Sequence, residues 1–292
     1  MRCFVCKKPT DLKIIRPICK DCFIKLYERK VERLIKKFKL IKKGERILVA
    51  VSGGKDSLSC AHVLNKLKHL LGFTMECLYI DVGILTCTNE RTERVIKKFC
   101  EDRKLKLNVV RVKDLLGKKL EKLSKERRRP ICSICGVVKR YIMNKFAREN
   151  GFDKLATGHC ADDMVRFFFK NWLGKKFDWI AKLKPIIPSE HPKIVTRIRP
   201  LFECTEEENL AYITINNIMI APCSRCSYFL RRDKWNEILK LIDDKKPDFK
   251  INFVKSLEEI ELKIKEESKL KECKECGEPT SEEICAFCKL KK

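Results

Sequence analysis

The sequence predicts an α/β fold, a doubly wound parallel sheet flanked by an N-terminal and a C-terminal zinc ribbon. Three observations carry that expectation. Apolar runs of strand length alternate with segments of helical periodicity, a glycine pair stands between the first strand and the following helix, and a four-cysteine word is written near each end. A chain of 292 residues suffices for one large α/β core with appendages. The expected organisation is a ribbon over 1–26, the α/β core over 27–244, and a helical connector with the second ribbon over 245–292.

Taken in order, Cys3-x-x-Cys6 and Cys19-x-x-Cys22 bracket a short loop and offer four soft thiolates to one tetrahedral ion, as zinc prefers. From Phe23 to Lys43, Leu26, Val31, Leu34, Ile35, Phe38 and Ile41 recur at helical spacing among many basic residues, which predicts a basic amphipathic helix. Arg46–Val51 is a continuous apolar run, hence a buried strand, and it empties into Ser52-Gly53-Gly54-Lys55-Asp56-Ser57 ahead of a helix over Leu58–Leu71. The alternation continues with a strand over 75–82, a helix from about 89 to 104, a strand over 107–112, a helix over 137–150 and a strand over 155–158. Alternation of this kind argues a parallel, doubly wound sheet. Lys118–Arg129 carries seven basic residues and is a candidate RNA-contacting segment. An extended Arg197–Leu201, a helix over 206–217 and a Lys/Glu-rich connector over 245–271 lead to Cys273-x-x-Cys276 and Cys285-x-x-Cys288, the second ribbon.

Lys and Arg number 66 against 40 acids, and a net charge of +26 implies a polyanionic partner, nucleic acid first. No apolar run approaches the roughly 20 residues of a membrane helix, and the chain starts directly into cysteines without an apolar leader. A cytoplasmic protein with no membrane association is expected, its cysteines reduced and to be read for metals before disulfides. Cys132-x-x-Cys135 and Cys223-x-x-Cys226 each lack a local partner pair. They can share one site, three thiolates suiting an iron–sulfur cluster with an open iron and four suiting zinc or a closed cluster. Cys60, Cys77, Cys87, Cys100 and Cys204 read as small core residues.

The glycine loop is an anion cradle, because backbone N–H groups at a helix start face phosphate and Lys55 adds a point charge. It is not a Walker A loop: Val49 stands where that word needs glycine, and Asp56 where it needs Ser or Thr. Ser-Gly-Gly-x-Asp-Ser is the word of the PP-loop ATP pyrophosphatases, matched by Ser52, Gly53, Gly54, Asp56 and Ser57.

The order ribbon, PP-loop, Cys-x-x-Cys, later cysteine, ribbon resembles the tRNA 2-thiouridine synthetases of the TtuA and NcsA group, over essentially the whole chain. Further matching words are Ile80-Asp81-Val82-Gly83-Ile84, Cys132-Ser133-Ile134-Cys135-Gly136, Ala156-Thr157-Gly158-His159, Asp162-Asp163 and Arg197-Ile198-Arg199-Pro200-Leu201. The resemblance implies an enzyme that spends ATP, forming AMP and pyrophosphate, to replace the C2 oxygen of a tRNA uridine by sulfur. It implies ATP, Mg2+, one 4Fe-4S cluster and two Zn2+, tRNA as substrate, a ubiquitin-like thiocarboxylate protein or sulfide as donor, and a homodimer. Residue by residue, Ser52 to Ser57 are implied to hold the phosphates, with Asp81, Gly158 and Asp162 at the nucleotide and Asp163 aiding magnesium. Lys55, Asp56, Asp162 and Lys139 are the implied catalytic set. Cys132 and Cys135 are implied cluster ligands, with Cys223 or Cys226 as the third and Cys223 preferred. The chain departs from the family at Val82, where Glu is usual, and at Cys160, where Asn is usual.

Two rivals stand beside this. A tRNA 2-thiocytidine synthetase shares the loop and cluster cysteines but not the terminal ribbons. A zinc-ribbon nucleic-acid-binding protein with an ATP-sensing core would need no cluster at all.

Overall fold

In the computed structural model, which describes residues 1–84, 90–221, 235–259 and 270–291, the chain builds one six-stranded sheet. Its strands are β1 (Arg46–Val51), β2 (Thr74–Asp81), β3 (Leu107–Arg111), β4 (Lys154–Ala156), β5 (Ile186–Ile187) and β6 (Thr196–Ile198), in the order β3-β2-β1-β4-β6-β5. All neighbours run parallel except β5, an antiparallel edge on β6. The chain lays β1, β2 and β3 outward, then returns to put β4 on the other side of β1. That reversal makes the β1/β4 boundary the switch point where open α/β sheets bind ligands, beyond the carboxyl ends of the strands.

Both faces of the sheet are covered, which is why β1 reads as an unbroken apolar run. Ile47, Val49 and Val51 join a core with α1 (Lys20–Lys37), α2 (Lys55–Leu71) and α3 (Glu90–Glu101), while Leu48 joins Leu78 and Ile80 in a second core. After the short α4 (Val112–Leu116), the second core takes in α5 (Leu120–Glu126) and α6 (Ile131–Glu149). α7 (Ala161–Leu173) and, after the short α8 (Phe177–Ala181), α9 (Glu206–Ile215) return to the first core; α10 (Trp235–Lys245) and α11 (Phe249–Glu259) follow, and α11 sets Val254 and Leu257 into it. The two cysteine modules take opposite faces. Cys3 and Ile18 belong to the first core; Cys273, Cys285 and Phe287 belong to the second. The C-terminal module has a small hairpin, β7 (Lys271–Glu272) with β8 (Pro279–Thr280), and a last turn, α12 (Cys288–Lys291).

Several elements differ from expectation for local reasons. α1 begins at Lys20 and carries Cys22, so the first module and the core share one helix across residue 26; it ends at Lys37 rather than Lys43, with Lys39 at φ 49°. α6 starts at Ile131, six residues before the expected 137, because Ile131, Ile134, Val138 and Ile142 are buried at helical spacing directly after Pro130. The basic stretch 118–129 is largely α5, whose Leu120 and Leu123 are buried while Lys118 pairs with Glu126 at 3.1 Å. The connector is more than a spacer, since α11 packs against α7. Among the described residues no helix is long and apolar enough to cross a membrane.

Candidate functional site

β1 ends at Val51 and α2 begins at Lys55, so Ser52, Gly53 and Gly54 form the whole turn. Gly53 has φ +81°, and a Cβ there would meet Ala221 Cβ at 3.0 Å and Thr92 Cγ2 at 3.2 Å, so both conformation and space demand glycine. Ser52 N donates to Ser57 Oγ at 3.1 Å, and Ser57 Oγ donates to Gly54 O at 3.0 Å, which ties the turn from within. Gly54 is the N-cap of α2 and has no side chain to cap it. The first N–H groups of α2 are therefore left for an anion at the positive end of a 17-residue helix.

Around the turn lies an alternating lattice of acids and bases. Lys55 Nζ reaches Asp56 Oδ2 and Glu206 Oε2, each at 3.0 Å. Glu206 also receives Arg166 at 3.1 Å, and Arg166 pairs with Asp163 at 3.0 Å. Asp56 accepts from Asn209 Nδ2 at 2.9 Å. Asp162 accepts from Glu206 N at 2.7 Å, which holds the start of α9, and its other oxygen pairs with Lys250, itself paired with Asp243. Burial pulls the Lys55 ammonium down, but Asp56 and Glu206 outweigh it, so its pKa is raised and it stays charged. Burial raises the pKa of Asp56 against the pull of Lys55, and does the same to Asp163 against Arg166. Such a lattice can exchange partners: a polyphosphate would take Lys55, leaving carboxylates free for a divalent cation.

Gly158 follows β4 and packs on the first turn of α2. A Cβ there would stand 2.6 Å from the Asp56 carbonyl oxygen and 2.8 Å from Ser57 N. Asp81, at the end of β2 on the same sheet edge, accepts from Gly83 N at 2.9 Å. Both family departures are buried: Val82 lies in the second core, and Cys160 is the N-cap of α7, its N–H donating to Asp163 Oδ2 at 3.1 Å. Burial and then the charges of Asp163 and Asp56 push the Cys160 thiol well up, which unfits it as a nucleophile. His159 stands half-buried beside it, Nδ1 2.8 Å from Thr157 Oγ1, and desolvation with the charges of Arg199 and Arg197 pushes its pKa down to about 3.

Cys132 and Cys135 stand on the first turn of α6, three residues apart and thus on one face, Cys132 exposed and Cys135 half-buried. α6 precedes the parallel strand β4, so its start lies at the same carboxyl edge as the glycine loop. The positive N-terminal end of the 19-residue α6 favours thiolates at these two positions. Lys139 is half-buried four residues beyond Cys135 on that face. Cys223 and Cys226 lie outside the described residues, as does Cys87. The end modules each converge fully: the sulfurs of Cys3, Cys6, Cys19 and Cys22 lie within 4.8 Å of one another, as do those of Cys273, Cys276, Cys285 and Cys288. Four thiols at that spacing fit one tetrahedral ion. The second module is docked on α6 by Tyr141 stacked on Phe287 at 3.8 Å and by Arg148 paired with Glu278.

Sequence reasoning missed Glu206, Asn209, Arg166 and Lys250. The Thr205-x-x-Glu208 capping box announces α9, with Thr205 accepting from Glu208 N at 3.1 Å, but nothing local says that this helix faces the loop.

Comparison with known proteins places the whole chain. A family model described as a PP-loop domain matches residues 25–221. The chain is 42% identical to the tRNA-5-methyluridine(54) 2-sulfurtransferase of Pyrococcus horikoshii, over 99% of this chain and 93% of that one. It is 37% identical to the protein of the same name from Thermotoga maritima, over 100% and 96%. Among solved structures it resembles the U34-tRNA thiolase NcsA from Methanococcus maripaludis with its 4Fe-4S cluster, at TM-score 0.79 and 28% identity, covering 99% of this chain and 95% of that one.

Proposed function

Because the chain belongs to the PP-loop family, within its tRNA 2-thiolation sulfurtransferases, we propose that it uses ATP to replace the C2 oxygen of a tRNA uridine by sulfur, the uridine being that of the T-loop. The observation that carries the chemistry is one shared edge: the uncapped start of α2 and the Cys132–Cys135 turn both lie beyond the carboxyl ends of the strands. The T-loop assignment is supported by relatives named for position 54 at 42% and 37% identity, against 28% for the U34 thiolase.

Ser52, Gly53, Gly54 and Ser57 would hold the phosphates, with Lys55 as their point charge, while Asp56, Asp162, Asp163 and Glu206 supply oxygens for Mg2+. The uridine O2 attacks the α-phosphorus, a new O–P bond forms, the α–β bridge breaks and pyrophosphate leaves. A sulfur nucleophile then adds at C2, the C2–O bond breaks with AMP as leaving group, and the sulfur proton is released. Lys139, on the Cys135 face of α6, supplies positive charge to the departing phosphate. A 4Fe-4S cluster on Cys132 and Cys135, completed by Cys223 or Cys226, would supply an open iron for binding sulfide. Each four-cysteine module would take one zinc. A reducing cytoplasm, which keeps such thiols available to metals, goes with this reading.

The test is thiolation by anaerobically reconstituted protein given ATP, Mg2+, sulfide and tRNA transcript, with the product located by fragment mass spectrometry. One 2-thiouridine in the T-loop is expected for each AMP and pyrophosphate formed. Thiolation at the wobble position would refute the position, and none at either would refute the reaction.

A further inference from the structure

From Trp172 to Trp179 eight consecutive residues are exposed, three of them large aromatics: Trp172 at 50%, Phe177 at 47% and Trp179 at 54%. Leaving such surface in water forgoes the stabilisation that burial brings, so a contiguous patch of this kind marks a partner site. The rings are held in place. Trp172 stacks on Phe168 at 5.6 Å, Phe177 meets Trp172 edge-on at 5.5 Å, and the Arg140 guanidinium lies 5.9 Å from the Trp179 centroid.

The surrounding charge selects the partner. Arg140, Lys175 and Lys176 border the rings, none in an ion pair with an acid among the described residues, and Asp178 is the one acid in the run. Two copies of this patch face to face would bring like charges together, which disfavours a symmetric protein contact. Cations interleaved with free aromatic planes are instead what unstacked RNA bases need, since every base has a π face and every linkage a negative charge. Position agrees. Arg140 leaves α6 one turn after Gly136, its Nη1 3.2 Å from where a Gly136 Cβ would be, so the residue over Trp179 also flanks the turn carrying Cys135.

We propose that Trp172, Phe177 and Trp179, bordered by Arg140, Lys175 and Lys176, form a stacking platform that receives unstacked bases of the tRNA loop beside the Cys132–Cys135 turn. The proposal rests on tRNA being the substrate. It assigns the exposed rings to holding the neighbours of the target base open, so that the target alone enters the reaction site.

The experiment uses the full-length protein and a T-arm stem-loop RNA at fixed salt. The three tryptophans are Trp172, Trp179 and Trp235, so Trp172→Phe with Trp235→Phe leaves Trp179 as sole reporter. RNA should quench its fluorescence. Trp179→Ala should weaken RNA binding about tenfold, within the range of one lost stacking contact, while Trp179→Phe restores most of it. Melting temperature and zinc content should stay parental. Absence of quenching, together with parental RNA affinity in Trp179→Ala and in the triple alanine variant, would overturn the platform. So would a parental dimer that becomes monomeric in the triple variant, since the rings would then belong to a subunit interface. If the parent forms no 2-thiouridine while the quenching persists, the proposed reaction fails and the platform stands.

Discussion

Gly158→Ala probes the tightest joint of the site. The added Cβ would stand 2.6 Å from the Asp56 carbonyl oxygen and 2.8 Å from both the Asp56 carbonyl carbon and Ser57 N, well inside the 3.4 Å at which ordinary contact begins. All three are backbone atoms of the first turn of α2, so no side chain can swing away. Relief requires displacing either the exit of β4 or the turn that donates to phosphate. Overpacking by one methyl costs about 1–3 kcal/mol. At about 2–4 °C per kcal/mol for a chain of this size, a cost of about 2 kcal/mol lowers the melting temperature by about 4–8 °C. Misplacing reacting groups by on the order of 1 Å costs up to about 100-fold, so tRNA-dependent pyrophosphate release should fall about 10- to 100-fold. Gly117→Ala is the control: φ is +63° and nothing lies within 4 Å, so the added Cβ strains its own backbone and touches nothing of the loop, and it should cost about 1–2 kcal/mol without slowing turnover. A Gly158→Ala protein with parental melting and turnover would refute the close approach, and equal loss of turnover in Gly117→Ala would refute its link to chemistry.

Three further outcomes follow from the same geometry. Lys55→Met should cut AMP and pyrophosphate formation by about 100-fold or more while RNA affinity holds, read by chromatography of nucleotides and by anisotropy. Metal analysis should find two zincs per chain, and Cys288→Ser should retain one; because Phe287 stacks on Tyr141 of α6, that loss should also lower the melting temperature. His159 is held neutral in the fold at about 3. Its folded value lies below the unfolded one, so the stabilisation is full above about pH 6.5 and is lost as pH falls toward 3, at about 1.4 kcal/mol per pH unit. Denaturant titrations across that window should show a shallower acid slope for His159→Asn than for the parent, and parallel slopes would contradict an imidazole held neutral in the fold.

What could be read from the chain is what is written contiguously. Ser52 to Ser57 and the two four-cysteine words are local, and each folds into a turn or knuckle whose geometry follows from its own residues. Glu206 reaches Lys55, Asn209 reaches Asp56, Arg166 reaches Glu206 and Lys250 reaches Asp162 only through the packing of α9, α7 and α11, about which a linear pattern says nothing. The start of α6 is legible in Ile131, Ile134 and Val138 at helical spacing after Pro130, although a helix expected over 137–150 leaves the cysteine pair outside it. Gly158 matched a nucleotide-site word, yet the demand for glycine there comes from the backbone of Asp56 and Ser57, a contact across about one hundred residues.

In the proposed mechanism ATP activates the oxygen that sulfur replaces. That activation is tested most directly with tRNA carrying 18O at C2 of the T-loop uridine, turned over once by the reconstituted enzyme with ATP and sulfide, and mass spectrometry of the nucleotide products. Each new 2-thiouridine should be matched by one AMP bearing one 18O in its phosphate, with unlabelled pyrophosphate. Unlabelled AMP, with the 18O released to water, would contradict it.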